Sequence, residues 1–154
     1  YDTKILNNRG IAYYSKGDCD SAIVDFTQAL KFKSDYSEAL YNRGLVYEHR
    51  GEYNTALSDF TLALKFNPNY YEVYNSRGII YGTKGEYKLA VADFTHALKI
   101  NPAYPDAYYN RAFTYFTIKE YDRAWEDIQK MKDAGYTIPS QFIDDLIRAS
   151  RREK

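Results

Sequence analysis

Apolar positions along this chain recur at the spacing of helices that pack in pairs. Between residues 37 and 50, Leu40, Leu45, Val46 and Tyr47 fall at helical spacing, and Gly44 among them predicts the close approach of another backbone. Gly51 stands where a glycine ends a helix. From 54 to 66, Ala56, Leu57, Phe60, Ala63 and Leu64 form one stripe. Asn67-Pro68 stops that stripe, because proline cannot continue a helix and disfavours helical backbone at the residue before it. Small residues mark close crossings, and the Phe60 ring fills the space between them. No stretch sustains a period of two, so the pattern predicts an all-α chain.

The pattern repeats. Asn8-Arg9-Gly10 returns as Asn42-Arg43-Gly44, Ser76-Arg77-Gly78 and Asn110-Arg111-Ala112, each 34 residues after the last. Ala22, Ala56, Ala90 and Ala124 keep the same step, as do Asp25-Phe26, Asp59-Phe60, Asp93-Phe94 and Asp127-Ile128. Gly17, Gly51 and Gly85 are followed by Lys119. Four units are thereby expected, over 3–36, 37–70, 71–104 and 105–138, with 139–154 left over. In the remainder, Phe142, Ile143, Leu146 and Ile147 form an apolar face, and Asp144, Asp145, Arg148, Arg151 and Arg152 a polar one. This reads as a C-terminal helix capping the apolar flank of the last unit, with a partner-docking helix as the alternative; Asp144 and Arg148 are spaced for an i,i+4 pair. Two helices per unit and the cap make nine.

Composition narrows the chemistry. The chain has 154 residues, with 21 Lys and Arg against 21 Asp and Glu, and this neutral balance predicts against nucleic-acid or polybasic membrane-surface binding. A mean hydropathy of −0.63 and the lack of a long apolar run predict no membrane insertion. One Cys excludes an internal disulfide, and Cys19 reads as a small buried hydrophobe. His49 and His96 lie in different units, no loop has phosphate-cradling glycines, and Asp25, Asp59, Asp93 and Asp127 form a ladder rather than a facing pair. The chain is therefore expected to be no enzyme and to need no cofactor and no metal. It opens at Tyr1 rather than Met, as a fragment of a longer protein would.

The set Leu40, Gly44, Tyr47, Gly51, Tyr53, Ala56, Phe60, Ala63 and Pro68 resembles the tetratricopeptide repeat, a 34-residue helix–turn–helix unit, and the next unit repeats it as Tyr74, Gly78, Tyr81, Gly85, Tyr87, Ala90, Phe94, Ala97 and Pro102. The resemblance implies a right-handed α-solenoid of four such units plus the capping helix. Its departures are local: Cys19 for Tyr, Ser34 for Pro, and Ala112, Lys119 and Ile128 in the fourth unit.

Four arginines, Arg9, Arg43, Arg77 and Arg111, match the four aspartates. They predict a repeated Arg–Asp pair, within a unit or between neighbours, that fixes helix register. By resemblance, the first helix of each unit lines a concave groove. The candidate partner-binding columns are then Asn7, Tyr41, Asn75, Tyr109; Asn8, Asn42, Ser76, Asn110; and Ile11, Leu45, Ile79, Phe113, with Tyr14, Glu48, Gly82, Phe116 beyond. The amides could hold an extended backbone, or could cross-link neighbouring helices; both readings stand on the sequence. Chaperone adaptors of the family clamp a terminal carboxylate with Lys, Arg and Asn. The matching positions here are Asn7, Ile11, Asn42, Glu72 and Ser76, or Tyr41, Leu45, Ser76, Asp106 and Asn110. None is a cation, which predicts against that mode. The expected function is a protein–protein interaction module that holds an extended peptide or partner segment. The alternative is a structural spacer or self-assembly element of a larger protein, with a homo-oligomer as one form.

Overall fold

The computed structural model describes residues 2–150, and among them lie nine α-helices and no strand. They are α1 (Thr3–Ser15), α2 (Cys19–Phe32), α3 (Ser37–His49), α4 (Tyr53–Phe66), α5 (Tyr71–Thr83), α6 (Tyr87–Ile100), α7 (Pro105–Thr117), α8 (Tyr121–Asp133) and α9 (Ser140–Ser150). Arg151 and Arg152, placed above on the polar face of the last helix, lie outside the described residues. Each first helix ends in the same way. In α3 the Gly51 amide bonds to the Glu48 carbonyl at 2.9 Å and the Glu52 amide to the Tyr47 carbonyl at 2.8 Å. Gly51 holds φ 74°, and Lys119 adopts φ 65° at the equivalent turn, so the turn outlasts the loss of its glycine.

Consecutive helices pack as antiparallel pairs. Ala22, Ala56, Ala90 and Ala124 are fully buried at the crossings, beside the rings of Phe26, Phe60 and Phe94. The glycine of each first helix faces that ring. A Cβ built on Gly10, Gly44 or Gly78 would stand 2.7, 2.5 or 2.7 Å from the Phe26, Phe60 or Phe94 ring. The close neighbour of Gly44 is therefore an aromatic side chain and not another backbone, because the ring lies flat in the gap that the missing Cβ opens. In the last pair both partners change together: Ala112 stands in the glycine column and Ile128 in the phenylalanine column, both buried in one cluster.

The arginine ladder is built, and it answers the choice between units in both ways. Arg9, Arg43, Arg77 and Arg111 each reach the Asp of their own pair through Nε and Nη2, with bonds of 2.6 to 2.8 Å to Asp25, Asp59, Asp93 and Asp127. The remaining nitrogen reaches back. Nη1 of Arg43, Arg77 and Arg111 donates to the hydroxyl of Thr27, Thr61 and Thr95 on the preceding second helix, at 3.0, 3.2 and 2.9 Å. All four carboxylates are buried. Burial pushes the Asp127 carboxyl up even with Arg111 in contact, so desolvation takes back much of what the pairing gives.

The first helices α1, α3, α5 and α7 touch in series, whereas within the described residues the second helices make no comparable contact with one another. The first helices thus form the inner wall of a helical solenoid and the second helices the outer. At the C-terminal end, Phe142 and Leu146 of α9 are buried against Ala112, Ala124, Ile128 and Met131. Trp125 donates to the Ser150 hydroxyl at 3.1 Å, and the Tyr136 hydroxyl to the Ala103 carbonyl at 3.0 Å. Arg148 meets Asp145 at 3.8 Å rather than Asp144, which lines the crevice between α8 and α9 with Trp125, Lys132 and Ile143.

Two outcomes are expected from this packing. Gly44→Ala should destabilise the domain by about 1–3 kcal/mol, and Phe60→Ile should destabilise it by leaving a gap. Combined, they should be less harmful than their sum by about 0.5–3 kcal/mol, since the pair then matches Ala112 and Ile128; chemical denaturation of the four proteins measures this coupling. Asp59→Ala should lower stability by roughly 3–5 kcal/mol, because it leaves the Arg43 guanidinium, only 19% exposed, without its carboxylate; the same denaturation curves read it.

Candidate partner-binding face

The inner wall carries the predicted columns, and the structure divides them by role. Neighbouring first helices are joined by one polar contact each. Asn42 donates to Asn7 at 3.0 Å between α3 and α1, and Asn110 donates to Asn75 at 3.0 Å between α7 and α5. Between α3 and α5, the Tyr41 hydroxyl meets the Ser76 hydroxyl at 3.4 Å. Asn7, Asn75 and Ser76 are buried by these contacts, while Asn42 and Asn110 remain half-buried and Asn8 is exposed. Each half-buried amide keeps one N–H beyond its cross-link. Tyr109 packs edge-on against Phe142 of the last helix, with ring centres 5.4 Å apart.

The apolar column stays open. Ile11, Ile79 and Phe113 are 40%, 37% and 52% exposed, and Leu45 is half-buried between them. The column beyond it varies in volume. Tyr14 fills its place and packs edge-on against His49, and Phe116 fills its own and packs against Tyr121 and Phe142. Glu48 stands half-buried, and desolvation pushes its carboxyl up to about 6. Gly82 leaves its place empty. A pocket of about 260 Å³ opens there, lined by Ile79, Gly82 and Thr83 of α5, Tyr87 and Phe94 of α6, and Asn110, Phe113, Thr114 and Thr117 of α7.

A carboxylate opens each later first helix: Glu38 in α3, Glu72 in α5 and Asp106 in α7. Tyrosines stand among them, with Tyr41 and Tyr70 rings 5.1 Å apart and Tyr71 and Tyr104 rings 5.0 Å apart. Burial pushes the hydroxyls of Tyr41, Tyr70 and Tyr104 up, opposed at Tyr41 by its hydrogen bond with Ser76, and the carboxylates add to the rise: Glu72 at all three, Glu38 at Tyr70 and Asp106 at Tyr104. The face is thus apolar along its middle and acidic along one edge. Elsewhere the candidate chemistry is structural. His96 stacks on Tyr74, its Nδ1 2.8 Å from the Ala92 carbonyl, and Cys19 packs half-buried on Ala22, Phe26 and Val46. Among the described residues no cluster of three or more His, Cys, Asp or Glu could hold a metal, and no helix is long and apolar enough to cross a membrane.

The model of the tetratricopeptide repeat matches residues 37–70, and that of the TPR repeat matches residues 10–51 and 83–119. The chain belongs to the tetratricopeptide repeat family. Members of that family are protein–protein interaction modules and are generally non-catalytic. Among solved structures, this tetratricopeptide repeat chain is similar to the crystal structure of MamA protein, with 25% identity, a TM-score of 0.82 and coverage of 96% of this chain and 82% of that one. It is similar to MamA 41-end from Desulfovibrio magneticus RS-1, with 23% identity, a TM-score of 0.77 and coverage of 86% and 75%. It is also similar to the first TPR of Spaghetti (RPAP3) bound to HSP90 peptide SRMEEVD, with 22% identity, a TM-score of 0.74 and coverage of 76% and 93%. No curated protein matches the sequence significantly.

The columns read from the sequence lie on the first helices of this tetratricopeptide repeat chain, and cross-linking was one of the two roles open to the amides, but the partner of each lies 35 residues away rather than 34, an offset that no column shows. Sequence reasoning also missed the threonine behind each later arginine. The raised Glu48 carboxyl gives a pH signature. Glu48 holds its proton more tightly folded than unfolded, so folding takes up a proton between an ordinary value near 4.5 and about 6. Stability from this group therefore falls as pH rises through that window. Glu48→Gln should flatten that slope and leave the domain more stable than wild type at pH 7, by less than about 2 kcal/mol because the group is only partly buried. Thermal melts across pH 4 to 7 check it.

Proposed function

We propose that the inner wall of α1, α3, α5 and α7 holds an extended segment of a partner protein, and that the domain, organised as the four units 3–36, 37–70, 71–104 and 105–138, acts by binding alone. The observation that carries this reading is the open apolar column, Ile11, Leu45, Ile79 and Phe113, one residue per unit along a single line. Isolated exposed apolar side chains need no explanation, but a continuous row between polar edges marks a contact surface. Asn42 and Asn110 stand beside that row, each with an N–H left for a backbone carbonyl. Such bonds are modest, about 0.5–1.5 kcal/mol each, so the partner is held by shape and apolar contact and tolerates sequence change. The RPAP3 neighbour supports the reading as a domain of the same fold with a peptide bound. Its peptide is acidic, and the positions that would clamp a terminal carboxylate carry no Lys or Arg here.

A second reading, self-assembly through the N-terminal flank, is favoured by a different observation. Ile5 is 64% exposed, whereas Ala39, Val73 and Ala107 in its column are fully buried, and Arg9 is 56% exposed where its equivalents are 16 to 19%.

Selection from a displayed random-peptide library tests the first reading. Wild-type protein should enrich peptides that Ile79→Asp combined with Phe113→Asp retains at least about tenfold more weakly. Val24→Asp combined with Leu62→Asp, on the outer helices, should retain them fully. The reverse pattern would move the binding surface to the outer wall, and association that rises with concentration and is lost in Ile5→Glu would favour the second reading.

A further inference from the structure

The pocket at Gly82 and the carboxylates of the same wall say what kind of segment the face takes. Three of the four residues in the column Tyr14, Glu48, Gly82, Phe116 fill their places with side chains, and two of those are aromatic rings. The fourth place is vacant and has the same architecture, a gap between adjacent first helices floored by the second helix below. Its volume of about 260 Å³ exceeds the ~150 Å³ that accommodates a benzene ring in a protein interior. The lining favours an apolar occupant. Ile79, Tyr87, Phe94 and Phe113 supply carbon surface. The hydroxyls of Thr83, Thr114 and Thr117 are already committed to the carbonyls of Ile79, Asn110 and Phe113 in their own helices. A Cβ at Gly82 would meet only the Ala90 methyl, at 3.9 Å, so the vacancy is open up to the backbone.

The nearest cation, Lys84 at the C-terminal end of α5, is taken up by Asn54 and Glu86 on the outer side, at 3.1 and 4.0 Å. One repeat away in the same column stands Glu48, held in no ion pair among the described residues. Along the edge run Glu38, Glu72 and Asp106, against Lys4 alone in the equivalent place of the first helix. Neighbouring packed helices lie about 10 Å apart, which an extended chain covers in about three residues.

We propose that the partner segment is basic and carries one aromatic side chain that seats in the Gly82 pocket, with a Lys or Arg about three residues away at Glu48. The carbon walls take up the ring, the acidic edge draws in the cationic segment, and acidic segments are excluded by like charge. This deepens the groove reading above and rests on it.

Labelled peptides of about ten residues test it, built on a Ser and Gln background with Phe or Ala at the centre and Lys, Gln or Glu three residues to either side. Fluorescence anisotropy with wild-type protein should favour Phe over Ala by about tenfold and Lys over Glu by about two- to fivefold. Gly82→Phe fills the pocket from within, as Tyr14 and Phe116 fill theirs. It should melt no lower than wild type, since it also removes a helical glycine. It should abolish the Phe-over-Ala preference and keep the preference for Lys. Glu48→Gln should do the opposite. Gly82→Leu repeats the test with a smaller filler should the phenylalanine variant misfold. Equal binding of the Phe and Ala peptides to wild type, an unchanged Phe preference in the filled variants, or a preference for Glu would overturn the proposal. If Ile79→Asp combined with Phe113→Asp weakens the peptides but Gly82→Phe does not, the pocket assignment alone falls. If the aspartate variant binds them as wild type does, the groove reading falls with it.

Discussion

The fold depends on a steric bargain repeated along the chain: in the first three helix pairs an aromatic ring fits inside only because the facing residue has no side chain. Gly44 and Phe60 set how closely α3 and α4 approach, and the pairs on either side copy that distance. Once the crossing is fixed, the arginine two turns from the helix start and the aspartate beside the ring fall within reach of each other. The guanidinium has three nitrogens to place, and the pair uses only two. The third is free to reach the preceding helix, so one side chain sets both the register within a pair and the register between pairs. That double use explains why arginine, and not lysine, occupies the column, for an ammonium has no fork with which to serve two directions at fixed angles.

Much of this was legible because a repeat multiplies each signal. A lone Gly or Asp means little, but an Asp returning four times at a constant step, three times beside a phenylalanine, predicts its own environment. The helix ends fell within a residue of the expected places, since Gly51 and Asn67-Pro68 punctuate the chain by backbone chemistry that acts locally. What the pattern could not show were relations across the stack. The neighbour of Gly44 was expected to be backbone, but the ring of Phe60 takes that place. The Asn42–Asn7 bond joins residues a repeat and one position apart, an offset created by the stagger of adjacent helices and absent from any column. The same holds for Asp144, which was paired with Arg148 on spacing, whereas Arg148 meets Asp145 and Asp144 lines the crevice between α8 and α9. Gly82 was visible as a letter in a column, but a vacancy becomes visible only when its walls are in place.

On the proposed reading, the inner wall would serve as structural scaffold and binding surface with the same residues. The amides that could face a partner are the same ones that tie helices together, so the wall is stiff where it is polar and adaptable where it is apolar. A surface organised in this way holds the partner's backbone path steady and leaves discrimination to the few places where side-chain volume or charge departs from the repeat.

The arginine ladder also has a loose end. Arg9 grips Asp25 as its equivalents grip theirs, but among the described residues its outer nitrogen reaches no threonine, and its side chain is 56% exposed. At the other end the last pair is sealed by Phe142 and Leu146. In a linear array, where each element is steadied mainly by its neighbours, such asymmetry sets an order of opening. In an isolated domain of these residues, amide hydrogens of α1 and α2 would exchange with solvent ahead of those in the middle pairs, and a helix pair set before α1 would take up Arg9 and remove that order.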